Sequence, residues 1–285
     1  MSNALVSMTM AEYLALYALS SGVAHTILSA SPLHARFAQQ NERTASSEMD
    51  IGTFAHAMLL EGGTSALVVV EADDWRTKAA KEQRDAARAE GKLPILAHKL
   101  SAVEAMVKAA QHYINTSDIT GLWKDGKPEQ TLIWTETHDA GEVPCKARFD
   151  WLGERYALHY KTTQASVNPR AFSRLVANSG YDFALMFYLR GLNTVLPDNE
   201  AQHFILAQEQ VAPYACKLFD LTSARADVAE RQVERAIGVW ARCQASGNWP
   251  AYDGSVHSID LTAWELAQAE EDILTDQELE HGIPL

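Results

Sequence analysis

Apolar positions recur along this chain with two different periods, and the change between them falls near residue 131. Before it the spacing is helical. Residues 9–20 and 32–40 predict helices, the second opening at Ser31-Pro32 with serine at the cap and proline at the first helical position. Residues 50–61 predict a third helix, with Asp50 to cap it and Gly62-Gly63 to stop it. Ala66–Val70 is short and β-branched, as a strand requires. Asp73–Glu90, dense in Lys, Arg, Ala and Glu and closed by Gly91, predicts a solvated helix. Residues 99–115 place Leu100, Val103, Met106, Val107 and Ala110 on one helical face.

From residue 131 the period becomes two. Thr131–Thr137, Val143–Leu152 and Arg155–Thr162 predict three strands, with Gly153-Glu154 as the turn between the last two. Helices are expected at 169–178 and 181–191, strands at 202–209 and 213–220, and a long helix at 223–246. Helices, then a meander, then mixed elements describe an α/β or α+β domain. No repeat, linker or break in composition divides it. The expectation is one domain over 1–271, helical to about 120 and sheet-bearing over about 121–250, followed by an acidic tail at 272–285.

Composition changes this picture little. The 285 residues are 47% hydrophobic, enough for a substantial core. No run of about 18 apolar residues predicts a membrane span. The N-terminus lacks a basic start and Glu12 interrupts its apolar stretch, so a soluble cytoplasmic protein is expected. Cys145, Cys216 and Cys243 lie far apart, which excludes a CxxC zinc module and fits small buried residues. A formal charge of −13 argues against a protein that coats nucleic acid, but not against an enzyme with a basic cleft or a metal held by acidic groups.

The chemistry concentrates in CKARFDWLGERYALHYKTT, residues 145–163. Strand alternation puts Lys146, Arg148 and Asp150 on one face, and Cys145, Ala147, Phe149 and Trp151 on the other, apolar one. On the next strand Ala157, His159 and Lys161 share a side, with Leu158 and Tyr160 opposite. A turn at Gly153-Glu154 would set Asp150 opposite Ala157 and diagonal to His159, about 7–8 Å away. The bland alternative is a hairpin with one solvated face, the commonest strand pattern.

An Asp followed after about ten residues by a carboxylate-X-Lys strand is the signature of the PD-(D/E)XK nucleases, which this hairpin resembles. The likeness to one branch, the phage and prophage exonuclease VIII (RecE-like) family, runs through SPLHARF (31–37), GTFAHAMLLEG (52–62), WRTKAAKEQRDAARAEGKLPIL (75–96), PEQTLIW (128–134), VPCKARFDWL (143–152), YKTT (160–163), GYDFALMFYLRG (180–191) and FILAQEQVAPY (204–214). The resemblance implies a restriction-endonuclease-like mixed sheet flanked by helices, and a 5′–3′ exonuclease acting on linear double-stranded DNA in recombination. It implies Mg²⁺ or Mn²⁺ on Asp150 and on His56 of the G-x-x-x-H pattern, with Lys161 orienting water and stabilising phosphate charge. Arg148, Thr162 and Tyr188 are the expected substrate contacts. A homo-oligomer, as a ring threading DNA, and a single-strand annealing protein as partner also follow from the resemblance alone.

Two positions depart from the family pattern. His159 stands where the second carboxylate belongs, and Ala184 where a glutamine precedes Tyr188. Imidazole suits Mn²⁺ better than Mg²⁺, so His56, Asp150 and His159 form the expected ligand set, with Mn²⁺ favoured. Three readings follow: an active exonuclease with altered metal preference, an inactive pseudonuclease that binds DNA ends or a protein partner, and an acidic phage-derived inhibitor of a DNA-binding host protein.

Overall fold

The computed structural model describes residues 3–41, 51–61, 63 and 67–280. The Asp50 cap, the Gly62 stop and the Ala66 strand start expected from sequence lie outside the described residues. Two compact units are present, Met1–Ala251 and Tyr252–Leu285.

The first unit opens with β1 (Ala4–Ser7), α1 (Met10–Ala15), β2 (Leu19–Ser20), α2 (Ser21–Ser29), α3 (Pro32–Gln40), α4 (Ile51–Leu60), β3 (Leu67–Val70), α5 (Lys78–Ala89), β4 (Leu93–Leu96) and α6 (Ala97–Thr116). It continues through β5 (Lys127–His138), β6 (Gly141–Leu152), β7 (Tyr156–Thr163), α7 (Pro169–Ser179), α8 (Tyr181–Val195), β8 (Gln202–Glu209), β9 (Cys216–Phe219) and α9 (Ser223–Ser246). The second unit carries α10 (Ala263–Glu280), which runs across position 271.

Local chemistry explains most boundaries. Ser31 and Thr77 accept backbone N–H bonds from His34 and Ala80, capping α3 and α5. The helix expected over 9–20 stops at Ala15 for a tertiary reason. Lys146, only 5% exposed, donates to the carbonyls of Tyr13 (2.8 Å) and Leu16 (2.6 Å), and so ties off the C-terminal end of α1. The chain then enters β2 and α2. Neither β1, β2, α2 nor β4 is visible in the sequence pattern; β4 carries Pro94, tolerated in a two-stranded parallel sheet with β3.

The main sheet runs β1-β5-β6-β7-β8-β9 and is mixed: β7 and β8 are parallel, and the other pairs along this order are antiparallel. Helices cover both faces. On one, α2, α8 and α9 pack on Leu132, Trp134, Cys145, Ala147 and Phe149. Gly191 lets α8 approach closely, since a Cβ there would sit 2.6 Å from the Trp134 ring. On the other face α4 and α6 pack on Trp151, Leu158, Tyr160 and Leu206. α7 contributes Phe172 and Val176 to a smaller cluster against β8.

One strand pair in this sheet is barely a pair. β6 meets β7 at Trp151↔Leu158 and Leu152↔Ala157, while its other end takes β2 as a parallel neighbour at Cys145 and Lys146. Between them β6 and β7 fork. Phe149 faces the α8 side and Trp151 the α4 side, so the strand's faces exchange at Asp150. This corrects the sequence expectation that Cys145, Ala147, Phe149 and Trp151 share one face. β5 breaks at the same level: its ladder with β6 omits Glu129 opposite Asp150, and Glu129 has φ +55°. Paired irregularities of this kind re-aim side chains out of the pleat.

Candidate metal and catalytic site

The fork is where the chemistry gathers. The turn between β6 and β7 is Glu154-Arg155, closed by the Gly153 N–H on the Tyr156 carbonyl (3.0 Å), and not Gly153-Glu154. The register therefore moves by two residues, and Asp150 stands at the level of His159 where Ala157 was expected. The ladder does not extend to that level. The Asp150 carboxylate takes the Tyr160 N–H instead (2.7 Å), replacing a strand–strand bond with a side-chain one.

Two further groups converge on Asp150. Its Oδ2 lies 3.5 Å from the Lys161 ammonium and its Oδ1 lies 3.4 Å from His56 Nε2. Burial would raise this carboxyl, but Lys161 and His56 outweigh it and hold it well below the usual carboxylate range. Burial likewise opposes the Lys161 charge, and Asp150 reverses that, keeping the amine above its ordinary value. The pair is a fixed carboxylate and a fixed ammonium.

His56 reaches this point because of Gly52. A Cβ at position 52 would lie 2.0 Å from Thr162 Oγ1 and 2.7 Å from Gln210 Nε2, so only glycine lets α4 rest directly on β7. One helical turn later, His56 is aimed at the fork. Burial disfavours its charged form, but Asp150, Glu61 and Glu129 around it raise its pKa to about 10.

Glu129 is the residue that sequence reasoning missed. It lies in PEQTLIW, where it reads as one polar residue ahead of a strand, and no periodic signal distinguishes it. Its Oε2 is held by the Arg148 guanidinium, while its Oε1 is buried without a hydrogen-bond partner, 3.8 Å from His56 Nε2. His56, Glu129 and Asp150 each offer a ligand atom within 4.8 Å of the others, a set that could hold a metal ion. Among the described residues no such set includes His159.

His159 lies 5% exposed in a ring cluster. Its ring centroid is 5.3 Å from Phe149, 5.0 Å from Tyr188 and 6.2 Å from His203, and its Nε2 has no hydrogen-bond partner. Burial pushes its pKa down to about 3. Of the expected substrate contacts, Arg148 and Thr162 line a cleft of about 720 Å³ together with His56, Glu129 and Lys161. Arg148 is tied to Glu129, the Met8 carbonyl (2.7 Å) and Thr131 (3.3 Å), and Thr162 accepts from Gln210 (2.9 Å). Tyr188 is not in that lining; it packs on Phe149 and His159.

A forked mixed sheet with Asp and Lys at the fork can be compared with known families. The profile of the PDDEXK-like domain of unknown function (DUF3799) matches residues 23–262. The chain belongs to this family. Within the solved structures, a crystal structure described as a "putative exonuclease" from Eubacterium rectale aligns over 92% of this chain and 98% of that one, with TM-score 0.54 and 11% identity. At that identity the likeness concerns the fold, and it agrees with the restriction-endonuclease-like architecture expected from sequence. No curated protein matches. No helix among the described residues of this PDDEXK-like chain is long and apolar enough to cross a membrane.

Proposed function

We propose that this PDDEXK-like chain is a metal-dependent nuclease of exonuclease VIII type, hydrolysing phosphodiester bonds at the ends of linear double-stranded DNA in phage recombination. In this reading residues 1–271 act as one catalytic domain, in the cytoplasm, as an oligomer and alongside an annealing protein. The observation that carries the proposal is the contact of Asp150 with both Lys161 and His56 beside an open cleft.

The roles follow from charge and position. Asp150, ionised at all ordinary pH, and His56 would hold a divalent cation, Mn²⁺ more readily than Mg²⁺ because imidazole is among the donors. Such an ion supplies Lewis acidity toward a phosphoryl oxygen and lowers the pKa of water. Lys161, kept charged by Asp150, stabilises negative charge developing on the phosphate. Arg148 and Thr162 line the approach, but both are already engaged, so they shape the cleft more than they grip a strand. Tyr188 stays outside the cleft lining, packed on Phe149 and His159.

A second reading has its own support. His159 brings no carboxylate from β7 and its ring is sealed among Phe149, Tyr188 and His203, which favours a protein that binds DNA without cutting it. End-labelled linear duplex with Mg²⁺ or Mn²⁺ separates the two. The nuclease reading expects digestion by the native chain in Mn²⁺, reduced about 10²–10³-fold by Lys161→Ala. Digestion only after His159→Asp with Ala184→Gln would retire the nuclease reading of the native chain.

A further inference from the structure

We propose that Glu129 supplies the second carboxylate of the cation site, delivered from β5 where the family pattern takes one from the position of His159 on β7. The inference rests on the same cleft as the nuclease reading, but it concerns cation binding and is decided without catalysis.

Four observations lead to it. The first is placement. Glu129 and Asp150 occupy the one level at which the β5–β6 ladder is interrupted, and the faces of β6 exchange there. Glu129 has φ +55° at this level, a conformation that a residue with a Cβ rarely adopts and that persists where the surroundings enforce it.

The second is satisfaction. Arg148 holds Oε2, and is itself fixed by the Met8 carbonyl and Thr131. Oε1 is fully buried and accepts no hydrogen bond. A half-anchored carboxylate whose other oxygen makes no hydrogen bond and lies 3.8 Å from His56 Nε2 is poised for a donor or a cation.

The third is the composition of the set. One imidazole nitrogen and two carboxylate oxygens, all within 4.8 Å, match the hard to borderline donors that Mn²⁺ and Mg²⁺ take, with water completing the shell. A proton on His56 and a cation on its Nε2 are alternatives, since each neutralises the same carboxylates. The fourth is the condition of His159. Its ring packs against Phe149 and Tyr188 and joins no donor set with His56 and Asp150.

The ligand count of the site is thus preserved while its source moves from one side of β6 to the other. That accounts for the loss of a carboxylate at position 159 without loss of the cation: β7 is relieved of a charge in the ring cluster, and β5 provides it from within the cleft.

Mn²⁺ titration of the folded chain by calorimetry, with bound ion counted by electron paramagnetic resonance, provides the test. Glu129→Gln, which keeps the size and an oxygen for Arg148, is expected to weaken Mn²⁺ binding about tenfold or more, as is Asp150→Asn. His159→Gln is expected to stay within about twofold of the native chain. Native affinity in Glu129→Gln, loss in His159→Gln equal to that in Asp150→Asn, or no Mn²⁺ binding by the native chain would each overturn the proposal. A crystal of the native chain soaked in Mn²⁺ decides the matter without a variant. An anomalous peak bonded to Glu129 Oε1 supports it, and a peak bonded to His159 or none beside Glu129 defeats it. Mn²⁺ held at Glu129 by a protein that cuts no DNA would sink the nuclease reading and leave this inference standing.

Discussion

His56 and His159 stand near the same carboxylate, Asp150, yet their charge states are driven in opposite directions. His56 looks into the cleft and meets Asp150, Glu61 and Glu129, which together lift its pKa to about 10 against the effect of burial. His159 looks into the ring cluster on the α8 side, where burial dominates and pulls its pKa to about 3. The residue type is the same and so is the nearest acid. What differs is how many acidic groups the ring touches and whether its nitrogens find partners. The fork between β6 and β7 therefore separates a polar compartment that can exchange a proton or a cation from an apolar one that can do neither.

The largest expected effect breaks the apolar side of this contrast. His159 is neutral in the folded chain down to about pH 3, and its neighbour His203 down to about pH 4, whereas in the unfolded chain both protonate near 6.5. Above pH 6.5 both states are neutral and the groups contribute nothing. Below it the unfolded chain binds protons that the folded chain refuses, so stability falls as pH drops from 6.5 toward 4, by about 1.4 kcal/mol per pH unit for each histidine. Urea unfolding at pH 7 and pH 5 measures this. His159→Leu should remove roughly half of the acidic loss and also spare the unpartnered Nε2. An unchanged acidic slope in His159→Leu would mean that the ring is not sealed from water.

Next in size is the contact that aims His56. Gly52→Ala places a Cβ 2.0 Å from Thr162 Oγ1, and a short β-branched side chain on a strand has little room to yield. Overpacking of this kind costs about 1–3 kcal/mol, and here it also lifts α4 from β7, so Mn²⁺ affinity should fall together with stability. Adding Thr162→Ala should recover part of both losses, since the two positions are in direct contact. Recovery of stability without recovery of Mn²⁺ affinity would show that His56 is positioned by something other than this contact.

These positions also show how far the sequence could be read. Strands β6, β7 and β8 and helices α8 and α9 were legible because a strand with one buried side or a helix with one buried stripe declares its period. Asp150 and Lys161 were legible through the family resemblance, since the spacing of that signature survives any small error in register. Glu129 was not, because its importance comes from a break in the ladder, and a break has no period. The early end of α1 was illegible too, being imposed by Lys146 from β6, 130 residues away from Leu16. Equally, the pairing of His159 with Asp150 was reasonable from alternation alone. It required the faces of β6 to continue unbroken through Asp150, and they exchange there.

The smallest effect sharpens the polar side. Because His56 is protonated up to about pH 10 in the folded chain and only to about 6.5 when unfolded, its contribution to stability is complete below pH 6.5 and is lost as pH rises through 10. The limb should be shallower than the acidic one, since the His56 side chain is 26% exposed and water screens its carboxylates. Thermal melts from pH 6 to pH 10 should therefore decline gently in the native chain and stay flat in His56→Gln. Mn²⁺ makes the decline diagnostic. A cation on Nε2 requires the neutral ring, so a saturating ion takes over the proton's work on Asp150 and Glu129, and the alkaline decline should vanish in its presence. The acidic limb belongs to rings that no cation reaches and should persist. A decline that Mn²⁺ leaves untouched would place the ion away from His56 and dissolve the distinction between the two compartments.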